Sequence, residues 1–194
     1  MECDVSDPEA LLRGFQVAGK DAPLRIVIHS IAFAPRESLS GDFSSVSAEA
    51  FRTALEVSAY SLIPIVRLAA ESMAEGGSIV TMTFGSPDRV YPSYNIMGVA
   101  KAALENEVRQ LAVEYGDRNI RINAISAGPL STLAARGIQR FSDFQQIYAE
   151  RSPLKRNITH EEVGETALFL ASSLSSGITG AVIPVDAGYH VIGA

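Results

Sequence analysis

The chain has 194 residues, 47% of them hydrophobic, and a formal net charge of -6 at pH 7, which suits one domain with a substantial core and argues against a nucleic-acid-binding surface. It has one cysteine, Cys3, no apolar run that approaches the roughly 20 residues of a membrane-spanning helix, and an acidic start that does not resemble a signal peptide. We therefore expect a single cytosolic α/β domain with no intramolecular disulfide and no affinity for nucleic acid or membrane.

In the first half of the chain, the pattern predicts a helix, a strand and a long second helix. The first helix is expected to begin at Asp7–Pro8, and an apolar run within residues 24–32 predicts a buried strand. Ser47 is a suitable N-cap for the long helix, which the glycine pair 76–77 is expected to end. Pro64 should kink that helix or mark an irregular turn, because proline cannot donate a backbone hydrogen bond.

The second half continues the alternation of strands and helices. Three further strands are predicted at residues 77–84, 119–126 and 181–188. A helix is predicted from about residue 92 to residue 115, and Thr159 with Glu162 forms a capping-box pattern at the start of another. Apolar strands that alternate with helices indicate a Rossmann-like, doubly wound parallel sheet in three α/β/α layers, so residues 1–194 are expected to form one domain.

The glycine-rich turn that opens a dinucleotide-binding fold does not occur in this sequence. Residues 1–6 look like the end of a strand. The segment "GFQVAGKD" at 14–21 resembles a phosphate-binding loop, but it ends in Asp21 and follows a helix instead of a strand. We interpret it as the end of a helix that runs into a turn.

Tyr94 and Lys101 form the pair that most clearly suggests chemistry. Seven residues of α-helix turn about 700°, so the two side chains share one face, with Met97 between them. A cation near a phenol lowers its pKa and strengthens its hydrogen bond to a developing oxyanion. An ordinary amphipathic helix also carries such residues, and the spacing alone leaves both interpretations open.

The stretch "PSYNIMGVAKAALE", residues 92–105, resembles the active-site helix of the enoyl-acyl-carrier-protein reductases of the short-chain dehydrogenase/reductase superfamily. Most members of that superfamily place lysine four residues after tyrosine, whereas this position is Gly98. The enoyl reductases place lysine seven residues after tyrosine, with methionine at the third position, as Tyr94, Met97 and Lys101 do here. The likeness extends from Cys3 to about His190.

The resemblance implies a set of functional residues. Tyr94 and Lys101 would be catalytic, and no metal site is expected. Residues expected to bind the cofactor are Asp4, Val5, Ile31, Lys101, Leu130, Ser131, Thr132, Leu133 and Ala134. Residues expected to bind the substrate are Ala34, Phe84, Tyr94, Met97, Ala135, Ile138 and Phe141, with residues 127–158 as the substrate-binding loop and helices.

The resemblance also implies a reaction, the last reductive step of the type II fatty acid elongation cycle. NADH, or alternatively NADPH, would deliver hydride to the β-carbon of a trans-2-enoyl thioester while Tyr94 donates a hydrogen bond to the thioester oxygen. Lys101 would also bind the nicotinamide ribose hydroxyls. The expected carrier of the acyl group is acyl carrier protein or coenzyme A. The enzyme is expected to be a homotetramer joined through the helices at 47–75 and 92–115. Its expected location is the bacterial cytoplasm or a plastid stroma.

Two local departures from the family's pattern affect the site. Many bacterial relatives have a second tyrosine ten residues before the catalytic one, where this chain has Phe84; the nearby Tyr91 could supply a hydroxyl instead. The basic cluster expected to meet an acidic carrier protein is reduced to Arg136 and Arg140, which leaves acyl carrier protein and coenzyme A both open.

The third departure concerns the family's first strands and glycine-rich turn, which have no counterpart in these 194 residues. Those parts normally hold the pyrophosphate, so the sequence leads us to expect weak or no cofactor binding. It also leads us to expect an exposed apolar edge strand at residues 24–30. The alternative function is a catalytically inactive fragment that keeps the fold and the subunit interface.

Overall fold

The computed structural model describes residues 2–132, 135 and 141–193. Within them, four parallel strands form one sheet in the order β1-β2-β3-β4. The strands are β1 (Ile26–His29), β2 (Gly77–Thr83), β3 (Ile120–Ala127) and β4 (Val182–Val185). The helices are α1 (Pro8–Ala18), α2 (Ala48–Leu55), α3 (Leu62–Ser72), α4 (Asn95–Tyr115), α5 (Phe141–Arg151) and α6 (His160–Ala171).

Helices cover both faces of the sheet, which confirms the predicted three-layer Rossmann-like architecture. Alternate strand residues point to opposite faces. Ile79 and Ile122 pack with the buried residues of α3 and α4, whereas Val80 and Ile125 pack with those of α6. The carboxyl ends of the four strands meet at one edge of this sheet, where doubly wound folds bind their ligands.

The predicted starts of α1, α2 and α6 agree with the structure, but the predicted strand at the N-terminus does not. The Asp7 carboxylate caps α1 by accepting from two backbone N–H groups, and Thr159 with Glu162 forms the capping box of α6. Residues 14–21 are the end of α1 and a turn, as interpreted. The chain turns at residues 5 and 6, because the Asp4 carboxylate accepts from both the N–H and the hydroxyl of Ser6.

The long second helix is interrupted by a wide turn. A π-helical turn, Glu56–Tyr60, separates α2 from α3, and the Ser61 N–H donates to the Glu56 carbonyl five residues back. Pro64 follows one turn later and cannot donate to the Tyr60 carbonyl, which accounts for the irregularity before it. The irregular turn expected at Pro64 is thus confirmed, but the helix ends at Ser72, three residues earlier than predicted.

The run Ala48–Ser72 is long and apolar enough, by length and composition alone, to cross a membrane, which the sequence analysis did not expect. A helix of a protein core meets the same criterion. Half of its most apolar part is buried inside the fold, and Leu62, Val66 and Ala69 belong to the core beneath α4.

Strand β1 is shorter than predicted and lies at the edge of the described sheet. It pairs with β2 on one side only, and Ile26 and Ile28 are each 48% exposed. The expected apolar edge is therefore present, over four residues.

Candidate active site

A cavity of about 890 Å³ lies at the carboxyl ends of β1, β2 and β3. Its walls come from the segments that follow these strands, from the start of α4 and from the first turns of α6. The predicted cofactor and substrate residues that line it are Ala34, Phe84, Tyr94, Met97, Leu130, Thr132, Ala135 and Phe141. Apolar side chains dominate this lining, which suits an acyl chain or the face of a nicotinamide ring.

Tyr94 lies immediately before α4 instead of inside it. The predicted helix start at residue 92 is wrong, because Ser93 (φ 65°) and Asn95 (φ 36°) adopt left-handed backbone conformations on either side of Tyr94. Asn95 tolerates this conformation better than most residues, and its side-chain amide donates to the Gly41 carbonyl at 3.2 Å. Backbone of this kind is costly and concentrates at functional sites.

Burial raises the pKa of Tyr94 above its ordinary value. The sequence analysis expected the opposite, a pKa lowered by Lys101, and that expectation is wrong. The charge of Lys101 acts instead on His29 and Glu105, and its ammonium donates to a backbone carbonyl. Tyr94 therefore keeps its proton at neutral pH, as a hydrogen-bond donor must.

Lys101 is a buried cation whose ammonium faces the end of β2. It is 5% exposed, and its Nζ donates to the Met82 carbonyl at 2.8 Å. Burial lowers the pKa of Lys101 to about 8, although the Glu105 carboxylate favours the charged form. An ammonium has three donors, so two remain for a ligand beyond the contact with Met82.

Glu105 lies one turn along α4 from Lys101 and is also buried. Its carboxylate accepts from the Thr83 hydroxyl at 2.8 Å, and burial raises the pKa of Glu105. Thr83 lines the cavity, so this bond ties the cavity wall to the helix that carries Lys101. The pair stabilises the position of α4 relative to β2.

Phe84 belongs to an aromatic wall beside Tyr94. Its ring centroid lies 4.7 Å from that of Tyr91 and 5.2 Å from that of Tyr94. The Tyr91 and Tyr148 hydroxyls are hydrogen-bonded to each other at 2.8 Å, and neither residue lines the cavity. The suggestion that Tyr91 supplies a hydroxyl in place of the second tyrosine is therefore not supported by this geometry.

Several predicted cofactor residues lie elsewhere. Asp4, Val5, Ile31, Lys101 and Ser131 do not line the cavity, although Lys101 donates to the carbonyl of Met82, which does. Ser131 is exposed and accepts from the Gln145 amide at 3.1 Å. Leu133, Ala134 and Ile138, together with Arg136 and Arg140, lie outside the described residues. Among the residues that the structure describes, no group of three or more His, Cys, Asp or Glu side chains could hold a metal ion.

The sequence analysis missed one wall of the cavity, which the start of α6 provides. The lining residues there are His160, Val163, Gly164 and Ala167. Their i, i+3, i+4, i+7 spacing identifies one helix face, but nothing in the spacing says that this face meets β2 and β3. Ser30, Ala32, Phe33 and Arg36, which follow β1, also line the cavity and were not predicted.

Sequence comparisons point to one family of proteins. Residues 1–190 match the family model described as Enoyl-(Acyl carrier protein) reductase. An enoyl-(acyl-carrier-protein) reductase (NADH) of Nostoc sp. is 47% identical over 194 residues, which are 100% of this chain and 75% of that protein. An enoyl-(acyl-carrier-protein) reductase (NADPH) of Staphylococcus aureus is 48% identical over 192 residues, 98% of this chain and 75% of that protein.

Solved structures give the same result. The crystal structure of the Bacillus cereus enoyl-acyl carrier protein reductase with NADP+ and indole naphthyridinone has a TM-score of 0.97 and 46% identity, and the match covers 99% of this chain and 75% of that one. The corresponding reductase of Anaplasma phagocytophilum, in complex with NAD, has a TM-score of 0.96 and 43% identity, with 100% and 74% covered. The described fold is thus shared along nearly its whole length.

Proposed function

The chain belongs to the enoyl-(acyl carrier protein) reductase family, and we propose that Tyr94 and Lys101 carry its reaction at the cavity described above. It is an oxidoreductase that uses NADH or NADPH to reduce a trans-2-enoyl thioester in fatty acid biosynthesis. The relatives are named as reductases, so the alternative of an inactive fragment finds no support among them.

The position and protonation of Tyr94 carry the proposal. Its side chain lines the cavity, and burial keeps its pKa raised, so the phenol stays protonated. When hydride adds to the β-carbon, negative charge collects on the thioester oxygen. A preorganised O–H donor in a water-poor cavity stabilises that charge much more than it would in water. Tyr94 is the donor that we assign to this oxygen.

Lys101 fits the nicotinamide ribose of the cofactor. A buried ammonium with two uncommitted donors is suited to a vicinal pair of hydroxyl groups, and the Met82 carbonyl fixes its direction. When bound, the reduced nicotinamide supplies the hydride. Lys101 positions that ring against the substrate and adds positive potential near the developing charge.

The apolar wall of the cavity would hold the acyl chain of the substrate. Met97 is 6% exposed at the bottom of the cavity, and the aromatic ring of Phe141 faces the same space. Ala34, Phe84 and Ala135 complete this wall. We assign residues 127–158 to substrate binding on this basis, since that segment contributes lining residues between Ala127 and Phe144.

The remaining cofactor contacts follow from the resemblance and the cavity. Leu130 and Thr132 line the cavity and are assigned to the cofactor, whereas Asp4 and Val5 are proposed to flank the adenine away from it. Relatives are named for NADH and for NADPH, and we propose NADH first. The expectation of weak or no cofactor binding stays a prediction, which titration of NADH into the chain by isothermal calorimetry tests.

The carrier and the assembly are also proposed. Acyl carrier protein is the carrier named for the relatives, and coenzyme A is the alternative. Among the described basic residues, Lys155 donates to the Glu150 carbonyl and Arg156 pairs with Glu162, whereas Arg36 lines the cavity. We propose a cytoplasmic homotetramer joined through α2, α3 and α4, as the resemblance implies.

The test is an assay of the purified chain that follows the loss of reduced-nicotinamide absorbance. It uses a trans-2-enoyl thioester on acyl carrier protein and, separately, on coenzyme A, each with NADH and with NADPH. Oxidation that requires the enoyl thioester supports the proposed function. A β-ketoacyl thioester is the control substrate, because a ketone-reducing member of the superfamily would act on it. Turnover of the ketone alone would contradict the assignment.

A further inference from the structure

The segment that follows β1 is held in place by one buried hydroxyl from a distant part of the chain. The Ser58 Oγ donates to the Phe33 carbonyl at 2.8 Å and accepts from the Phe33 N–H at 2.9 Å. Ser58 is completely buried. Its one proton and one lone pair thus serve the two backbone groups of a single residue, 25 positions away.

This contact depends on the π-helical turn Glu56–Tyr60. Ser58 lies in that turn, and the hydroxyl of Ser61, directly after it, accepts from the His29 imidazole at the end of β1, at 2.9 Å. Ser61 therefore contacts the end of β1, and Ser58, three residues earlier, contacts the segment that follows β1. A π turn adds one residue to a helix, is rare, and occurs frequently at functional sites.

The segment held by Ser58 forms part of the cavity wall. Ser30, Ala32, Phe33 and Ala34 all line the cavity, and the Phe33 side chain is 53% exposed. The strand ends at His29, so the backbone of this wall lacks the support of the sheet ladder. Within the part of the chain that the structure describes, the hydrogen bonds that hold the Phe33 backbone come from Ser58.

We propose that Ser58 is a positioning residue of the reductase, which holds the Phe33 backbone so that the wall at 30–34 keeps its shape for the cofactor and the enoyl thioester. The proposal rests on the function proposed above. Ser58 itself does not line the cavity, and it acts through Phe33. Removal of its hydroxyl frees a wall segment that water can resolvate, and so it should loosen the site more than the fold.

The test is Ser58→Ala, with Ser78→Ala as the matched control. Ser78 is 1% exposed, and its hydroxyl donates to the Leu170 carbonyl, away from the cavity. Hydrogen exchange followed by mass spectrometry reports on the hydrogen bonds between Ser58 and Phe33 without any assay of activity. We expect exchange at the Phe33 amide to accelerate on the order of tenfold in Ser58→Ala, the factor of one ordinary hydrogen bond, and not in Ser78→Ala.

Steady-state kinetics then report on positioning. We expect Ser58→Ala to raise KM for the enoyl thioester on the order of tenfold with kcat within a factor of about two, and Ser78→Ala to leave both unchanged. Unchanged exchange at Phe33, or faster exchange with unchanged KM, would overturn the role of Ser58 in an active enzyme. An inactive wild-type chain would instead overturn the proposed function, and the exchange experiment would still report on the hydrogen bonds between Ser58 and Phe33.

Discussion

The ring of Phe84 packs against the ring of Tyr94, with centroids 5.2 Å apart and planes inclined by 50°. Many members of the family that the chain resembles have a second tyrosine where this chain has Phe84. The wall beside Tyr94 lacks that second hydroxyl here. The Tyr91 hydroxyl is engaged with Tyr148 and lies away from the cavity. On this wall, the reaction that we propose depends on the hydroxyl of Tyr94.

Tyr94→Phe should therefore abolish most of the activity and leave the fold intact. Loss of one donor from an oxyanion site lowers kcat by about 10²- to 10³-fold. The measurement is kcat for the enoyl thioester, with thermal unfolding as a check on the fold. Phe84→Tyr is the matched control, because it adds a hydroxyl to the same wall and should keep kcat within about threefold. A Tyr94→Phe variant with more than a tenth of wild-type kcat would contradict the assignment.

Tyr91→Phe should reduce stability without changing turnover. The variant breaks a hydrogen bond between two buried hydroxyls, which costs about 1 kcal/mol. Tyr148→Phe should cost a similar amount, and the double variant less than the sum, because both remove the same bond. Chemical denaturation measures these free energies. A large fall in kcat in Tyr91→Phe would show instead that this hydroxyl takes part in the reaction.

His29 should make the fold sensitive to mild acid. Burial, together with the charge of Lys101, lowers the pKa of His29 to about 4, whereas an unfolded chain has the ordinary value near 6.5. Between these values the unfolded chain binds a proton that the folded chain does not. Stability is therefore lost as the pH falls from about 6.5 to about 4, by up to about 3 kcal/mol.

The control for this prediction is His29→Gln, whose amide can replace both hydrogen bonds but does not titrate. The Ser61 hydroxyl donates to the Val57 carbonyl at 2.7 Å, so it accepts from His29 Nε2, and Nδ1 accepts from Thr81. The free energy of unfolding measured between those pH values should fall less steeply in the variant. Equal slopes in the two proteins would argue against a neutral, buried His29.

Lys101 should make NADH binding weaken as the pH becomes alkaline. Its pKa is about 8, so the ammonium loses its proton above that value and its donors weaken. We expect the dissociation constant for NADH to rise roughly fivefold from about pH 7 to about pH 9.5, since charged hydrogen bonds are about twice as strong as neutral ones. Fluorescence titration measures it. Lys101→Met should bind weakly at both pH values, and a variant that keeps the wild-type pH dependence would exclude Lys101.

The sequence was sufficient for the sheet, the helix caps and part of the cavity wall. Strand periodicity and capping residues are local signals, so the four parallel strands and the starts of α1 and α6 were predicted correctly. The spacing of Tyr94 and Lys101 identified the family but not the local structure of Tyr94. The backbone is left-handed at Ser93 and Asn95, and the Asn95 side chain bonds to Gly41, 54 residues away, a contact that local sequence does not reveal.

The electrostatics of the site also lay beyond the sequence. Helical spacing places Lys101 on the face of Tyr94 and suggests a lowered phenol pKa. The fold encloses the Tyr94 hydroxyl and turns the Lys101 ammonium toward the Met82 carbonyl, so desolvation determines the pKa of both groups. Likewise, Pro64 predicted a kink, but only the structure shows that the resulting π turn presents Ser58 to Phe33.

The most direct test of the central claim is the rate at which the purified chain oxidises NADH. The rate is measured with and without a trans-2-enoyl thioester on acyl carrier protein, over a wide range of NADH concentrations. The same measurement is made for Tyr94→Phe. We predict oxidation that requires the enoyl thioester in the wild-type chain and falls about 10²- to 10³-fold in the variant. No thioester-dependent oxidation by the wild-type chain, or equal rates in the two proteins, would contradict it.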